Sequence, residues 1–410
     1  MGLFVGSGRR NPRCRRRRKR IRYAGADMHS GWRATYAAVG IVCHVCIWLS
    51  SGRAKAQALL GTAEGSNQAI IFPSPGIGLP IPIQIPVDGI SGFNQPHGLS
   101  FFGPDDALVA GGAGIFVVKV STHRVVSIIP TAPYYDGTGT LAVAPSRNFA
   151  LASGGTNQVT VIAAPFGPTS QITTVALPGG VHQQTTQAIA FDPAGRAFIY
   201  QTGISVLDAP YSSVNFTIPI AALNPGRIAV TPDGSQVLAT SDLILGVDVF
   251  TAPFSSSSLP ALIAIPASPG GIAVTPDGTK TLVSSDNRPR LFAISAPYNA
   301  SSIVEEIPLS PVFSPSADIG ISADGQLAAL AGQGGFTTPD IAFIRGPFTA
   351  VGATVFDVGV PGGRGNGAIR FAPASTLAGV PVLSWPTRLL SVLGFALAAL
   401  FLLGRLPASR

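Results

Sequence analysis

From about residue 60 to about residue 375 the chain alternates apolar and polar positions in short bursts, each closed by a cluster of Gly, Pro or Asp. The clearest burst is Ile228-Ala229-Val230-Thr231-Pro232-Asp233-Gly234, and it returns letter for letter at Ile272 to Gly278, 44 residues later. Ile-Ala-Val is an alternating, β-favouring run and Pro-Asp-Gly is turn chemistry, so the phrase predicts a strand entering a hairpin. A period of 40 to 50 residues belongs to propeller blades or to two-helix arrays. The 48 glycines and 36 prolines, with no long 3.6-period segment among them, exclude the helical option.

Weaker copies flank the perfect ones. They begin at Leu99, Leu141 and Ile189 before them and at Ile319 and Ile369 after them, with steps of 42, 48, 39, 44, 47 and 50 residues. That spacing fits four short strands and their turns. A proline–aromatic pair follows five of the anchors: Pro165-Phe166, Pro210-Tyr211, Pro253-Phe254, Pro297-Tyr298 and Pro347-Phe348. Each follows an apolar run and is expected to close a third strand, because proline cannot donate to a sheet ladder.

Six units are complete between Leu99 and Ala368. The ends predict a seventh made jointly. Ile369 to Pro373 reads as its first strand, Ala69 to Pro73 as its third and Ile81 to Pro86 as its fourth, with Thr376 to Val382 as the candidate second. Pairing of the two chain ends would hide edges that otherwise template aggregation. The predicted fold is all-β: a seven-bladed β-propeller, with six blades as the alternative, each blade of four antiparallel strands. An N-terminal signal helix and a C-terminal transmembrane helix are expected to flank it.

Pro269-Gly270-Gly271-Ile272 to Gly278, and Pro225-Gly226-Arg227-Ile228 to Gly234, resemble the YVTN-type β-propeller repeat, whose units read Pro-x-Gly-Ile-Ala-Val-x-Pro-Asp-Gly and then a β-rich run. The Tyr-Val-x-Asn stretch that names the family is replaced here by Val237-Leu238-Ala239-Thr240 and Leu282-Val283-Ser284-Ser285. The resemblance covers most of residues 66 to 373. It implies the fold and an exported bacterial envelope protein, but propellers host many unrelated activities and it implies no particular one.

The two ends read as addresses. Ala34 to Ser50 is apolar, and Ala54-Lys55-Ala56 offers a small-x-small cleavage site before Gln57, a secretory signal pattern for the Sec machinery. Residues 9 to 22 hold ten Lys or Arg. Three readings stand: a basic tail, a long n-region, or a leader preceding a true start at Met28, of which the last is adopted. At the other end Val380-Pro381-Val382-Leu383-Ser384-Trp385 precedes an apolar run, Leu389 to Leu403, followed by Arg405 and Arg410. This layout resembles the IPTL-type C-terminal sorting signals of Gram-negative bacteria, with Val382 in place of Thr and Trp385 directly after Ser384. The resemblance implies an exosortase-like partner and membrane contact through the C-terminal helix. The fifteen apolar residues would span roughly 22 Å as a helix, short of the roughly 30 Å core unless Arg388 and Arg405 snorkel. The domain map is 1–27 basic leader, 28–56 signal peptide, 57–375 propeller and 376–410 sorting or transmembrane segment. The expected location is the cell envelope or cell surface.

This map changes the meaning of the charge. The whole chain is +8, but between Gln57 and Val380 there are 11 Lys and Arg against 18 Asp and Glu, a balance of −7. Nucleic-acid binding, which needs a basic stripe, is thereby disfavoured. All three cysteines, Cys14, Cys43 and Cys46, precede the cleavage site, so the propeller has neither a disulfide framework nor a thiolate metal site.

Little in the propeller points to catalysis, and no catalytic residue, metal or cofactor is assigned. Its histidines are His97, His123 and His182, at no metal-ligand spacing. Its glutamates are Glu64 and the outer-strand pair Glu305-Glu306, so the inner glutamate that calcium-holding propeller lactonases require is missing. Asp233, Asp277 and Asp324 read as hairpin formers. The candidate binding ring lies in the loops that lead into the inner strands: His97, Tyr134, Tyr135, Asp136, His182, Gln183, Gln184, Arg227, Asp318, Arg364 and Asn366. Its mixed polarity suits an unknown peptide, glycan or protein ligand. The expectation is therefore a non-enzymatic binding or structural module, with a propeller lactonase-like or hydrolase-like enzyme as the alternative.

Overall fold

The repeated phrase folds as a hairpin held by its own side chains. Thr231 Oγ1 donates to Asp233 Oδ1 at 2.6 Å, the same carboxylate oxygen accepts the Ser235 N–H at 3.0 Å, and the Gln236 N–H closes the loop on Thr231 Oγ1 at 3.0 Å. The second copy repeats this with Thr275, Asp277, Thr279 and Lys280, and a third uses Ser322, Asp324 and Gln326. The closing Gly234, Gly278 and Gly325 have φ of 72°, 71° and 69°, the left-handed region that glycine reaches without a Cβ penalty. The turn aspartates are thus engaged in the hairpins.

The computed structural model describes residues 59–63, 68–72, 98–111, 114–131, 140–153, 157–178, 188–220, 225–241, 245–309, 316–332, 341–358 and 368–373. Each hairpin extends into a four-stranded antiparallel meander. Six such sheets follow in chain order, and they are numbered here blades 1 to 6. Their inner strands are Leu99–Phe101, Thr140–Val143, Ala188–Phe191, Pro225–Val230, Pro269–Val274 and Ser316–Ile321. No helix occurs among the described residues, and none of them forms an apolar helix long enough to cross a membrane. The signal and C-terminal segments lie outside the described residues.

The ring is completed by a three-stranded sheet. Ile369–Phe371 lies innermost, Leu59–Ala63 pairs with it, and Gln68–Phe72 lies outside. The register sets Leu59 opposite Phe371 and Gly61 opposite Ile369. The two chain ends therefore meet in one sheet, with Gln68–Phe72 third from the axis. The expectation of seven four-stranded blades is corrected to six. The middle strand of the closing sheet is Leu59–Ala63, a short run interrupted by Gly61 that shows no sustained alternation. Neither the expected fourth strand at Ile81 to Pro86 nor the expected second strand at Thr376 to Val382 falls among the described residues.

The hydrophobic core is distributed between sheets. Seven buried clusters each join two neighbours, from Leu108, Ile115 and Leu141 between blades 1 and 2 to Ala69, Ile71, Leu99 and Phe116 between the closing sheet and blade 1. Phe116, Phe198, Phe250, Phe292 and Phe343 are each under 2 % exposed, and full burial of such a side chain stabilises by about 1.5–3 kcal/mol. The proline–aromatic pairs sit just beyond the third strands, each after a cis X–Pro bond. Their rings reach back to the preceding blade: Phe166 meets Phe102 edge-on at 5.0 Å, Tyr211 meets Phe149 at 5.4 Å, and Phe254 meets Phe198 at 5.2 Å. Edge-to-face geometry suits the ring quadrupoles and adds about 0.5–1.5 kcal/mol beyond burial.

Candidate functional site

The site that the fold builds lies where the inner strands begin. The residue just before each apolar anchor is, in ring order, Gly98, Thr140, Ala188, Arg227, Gly271, Asp318 and Ala368. Five of the seven are small. In blades 4, 5 and 6 the register shifts at this point, between Pro225 and Ile228, Pro269 and Ile272, and Ser316 and Asp318. Such bulges re-aim side chains at sheet ends. Buried second-strand hydroxyls hold the displaced backbone. The Arg227 N–H donates to Thr240 Oγ1 at 2.7 Å, and the Gly271 N–H donates to Ser284 Oγ at 2.8 Å. In blade 2 the hydroxyls of Thr140 and Ser153 bond at 3.0 Å. The spacing is 13 residues each time. Thr240 Oγ1 also donates across the interface to the Gly270 carbonyl at 3.2 Å, tying blade 4 to blade 5.

Gly271 stands between the two charged members of the ring. A Cβ at this position would lie 2.9 Å from the Asp318 Cα, so only glycine lets the inner strands of blades 5 and 6 approach this closely.

Asp318 is 5 % exposed. Its Oδ2 accepts the Ile369 N–H at 3.0 Å and an ion pair from Arg370 Nη1. The same Arg370 nitrogen donates to the Ile369 carbonyl at 2.7 Å. Asp318 thus staples blade 6 to the closing strand. Arg227 is half-buried on the inner strand of blade 4. Burial pulls its guanidinium below the ordinary value, the Asp318 carboxylate opposes that, Arg370 adds to it, and Asp286 opposes it more weakly.

Two of the eleven ring candidates, Arg227 and Asp318, fall among the described residues, on the inner strands of blades 4 and 6 with that of blade 5 between them. His97, Tyr134, Tyr135, Asp136, His182, Gln183, Gln184, Arg364 and Asn366 lie outside the described residues, as do Ala56, Gln57 and Pro381 to Trp385. Arg370 was missed by the sequence reading. The position after each anchor reads Ser100, Ala142, Ala190, Ala229, Ala273, Gly320 and Arg370, so an arginine among small residues was the available signal. Of the other polar groups, His123 is exposed in the hairpin of blade 1, and Glu305 and Glu306 pair with Lys280 and Arg290 in blade 5. Among the described residues no cluster of His, Cys, Asp or Glu is placed to hold a metal ion.

Two cavities lie toward the hairpin ends. One of about 340 Å³ is bordered by Phe101, Arg147, Arg370 and Phe371. The other, about 420 Å³, lies between blades 4 and 5 against Asp233, Asp277, Gln236 and Tyr298. The two aspartates there are the hairpin formers. Hydrogen bonds from Thr231 and Ser235 hold the Asp233 carboxyl down at about 2.

No family model matches the chain, and no curated protein matches it in sequence. Solved structures do resemble it. A Bacteroides fragilis protein proposed to be a 6-phosphogluconolactonase is 12 % identical, with a TM-score of 0.59 over 78 % of this chain and 99 % of that one. A functionally unknown protein from Desulfotomaculum acetoxidans gives the same identity, TM-score and coverage. Virginiamycin B lyase from Staphylococcus aureus is 13 % identical, with a TM-score of 0.51 over 65 % of this chain and 85 % of that one. At these identities the likeness establishes the β-propeller fold and nothing finer.

Proposed function

We propose that this chain is a non-enzymatic binding or structural propeller of the cell envelope, exported by Sec and sorted through its C-terminal segment. The observation that carries the non-enzymatic part is the engagement of Asp318. It is the one acid in the ring of seven positions, and its Oδ2 is already bonded to Ile369 and Arg370. A general base or metal ligand needs a carboxylate oxygen directed at substrate or ion. The export part rests on the apolar segments and cleavage pattern of the sequence.

A hydrolase or lyase reading draws on two of the structural neighbours, whose shared fold does not carry chemistry across at 12–13 % identity. The two readings separate on one assay. The purified chain is incubated with sugar lactones and phosphosugar lactones, with and without calcium, beside an Asp318→Asn variant. Turnover above the uncatalysed rate that Asp318→Asn abolishes would overturn the binding reading. For the export reading, mass spectrometry of the termini in fractionated cells should find a start at Gln57 and loss of the C-terminal segment. Arg410 intact in the surface fraction would contradict sorting.

A further inference from the structure

The cavity of about 340 Å³ lies against the inner strands of the closing sheet and of blades 1 and 2. Phe101, Val143, Pro145 and Phe371 give it apolar walls, and two arginines, Arg147 and Arg370, border it. Among the described residues no acid does. Arg147 stands at φ 59° in the hairpin of blade 2, where its N–H donates to the Ala144 carbonyl at 2.8 Å. Blades 3 to 6 close the same turn with Gly195, Gly234, Gly278 and Gly325, all at positive φ. An arginine in the left-handed region carries a backbone cost that those glycines avoid. Such outliers cluster where a side chain has a task. The Arg147 side chain is exposed and meets no hydrogen-bond or ion-pair partner among the described residues. Arg370 differs. Asp318 neutralises it, and all of its bonds leave from Nη1, to Asp318, Ile319 and Ile369. Its Nε and Nη2 donate to none of the described residues.

We propose that this cavity binds a small carboxylic acid with an apolar body: Arg147 pairs with the carboxylate, Arg370 adds N–H donors, and Phe101, Phe371 and Pro145 hold the body. The inference rests on the binding-module reading and names one ligand class for it. The charge follows from the two arginines. With Arg370 neutralised by Asp318, the cavity offers the single positive charge of Arg147, which a monoanion matches and a phosphate close to −2 does not. The planar guanidinium takes the two oxygens of a carboxylate side by side. The size follows from the volume. Small-molecule sites run from roughly 300 to 1,000 Å³, so this one suits a single aromatic ring or a short branched chain.

The test is thermal unfolding of the purified full-length chain, titrated with sodium benzoate and with sodium isovalerate against sodium chloride at matched ionic strength. Benzamide and isovaleramide serve as the uncharged counterparts. A ligand that binds only the folded state raises the midpoint, by about 2–3 °C at a tenfold excess over Kd for a domain of this size. At least one carboxylate should give this rise and its amide should not. The rise should vanish in Arg147→Gly, fall by half or more in Arg147→Lys, and persist in Arg124→Met, which changes an exposed arginine on the outer strand of blade 1. Arg147→Gly installs the residue that four sister hairpins already use, so the variant keeps its turn. No rise with either carboxylate overturns the proposal. So does an equal rise with the amides, or a rise that Arg147→Gly leaves unchanged. Lactone turnover that Asp318→Asn abolishes would sink the binding-module reading and leave these shifts standing, whereas absent shifts would sink this site alone.

Discussion

Tyr298 donates its phenolic hydroxyl to the carbonyl oxygen of Gly278 at 2.9 Å, joining the corner after the third strand of blade 5 to the hairpin of the same blade. In blade 3, Tyr211 reaches the Gly195 carbonyl at 2.6 Å in the same way. Both rings are at least 97 % buried, and burial pushes both phenols up to about 12. Blades 2, 4 and 6 carry phenylalanine at this corner and rely on packing alone. The proline–aromatic landmark is therefore a wedge between blades in every case and a hydrogen-bonded clasp in two.

The clasp and the wedge should separate by mutation. Tyr298→Phe removes one hydrogen bond and is expected to cost about 0.5–1.5 kcal/mol. Tyr298→Ala also opens a cavity between blades 4 and 5 and should cost about 3–5 kcal/mol. Urea unfolding of the two variants gives both values, and equal losses would mean that the ring contributes nothing beyond its hydroxyl.

Gly271→Ala should destabilise by about 1–3 kcal/mol, because its Cβ would press on backbone atoms of Asp318 that cannot turn aside. Gly167→Ala is the control, since a Cβ there meets nothing within 4 Å. Thermal midpoints that fall equally in both variants would show that the close approach at the axis carries no special constraint.

Asp248, on the third strand of blade 4, is 6 % exposed, and burial raises its carboxyl to about 6. The folded state then binds more protons than the unfolded state between about pH 4 and about 6, so stability is present at the acid end of that window and falls as pH rises through it. Asp248→Asn should flatten this slope and raise stability above pH 6 by about 2 kcal/mol. Asp233 has the opposite sign: its lowered carboxyl supports the fold above about pH 4, and that support is lost as the pH falls toward about 2. Urea midpoints collected from pH 3 to pH 8 test both, and a slope between pH 4 and pH 6 that persists in Asp248→Asn would remove Asp248 as its source.

The repeat made most of the fold legible. Ile-Ala-Val followed by Pro-Asp-Gly marks an inner strand and its hairpin because period-two alternation and turn chemistry are local properties. The proline–aromatic pairs mark the third-strand ends for the same reason. Leu59–Ala63 was not legible, because its strand character comes from pairing with Ile369–Phe371, over 300 residues away in sequence, rather than from its own pattern. Of the candidate site, Arg227 and Asp318 could be read from their place before the anchor. Which charge engages which could not, since Arg370 follows its anchor and meets Asp318 only when the ring closes. The second-strand hydroxyls of Thr240 and Ser284 resemble ordinary strand residues, and only the bulge gives them a task.

The central claim is that Asp318 belongs to ring closure and not to catalysis. The measurement that tests it most directly is a double-mutant cycle on Asp318→Asn and Arg370→Met, read by urea unfolding at pH 7. With Asp318 buried and Arg370 partly open to solvent, the expected coupling is about 1–2 kcal/mol, with both single variants less stable than the wild type. A coupling of zero, with Asp318→Asn as stable as the wild type, would contradict the claim and leave the axial acid available for chemistry.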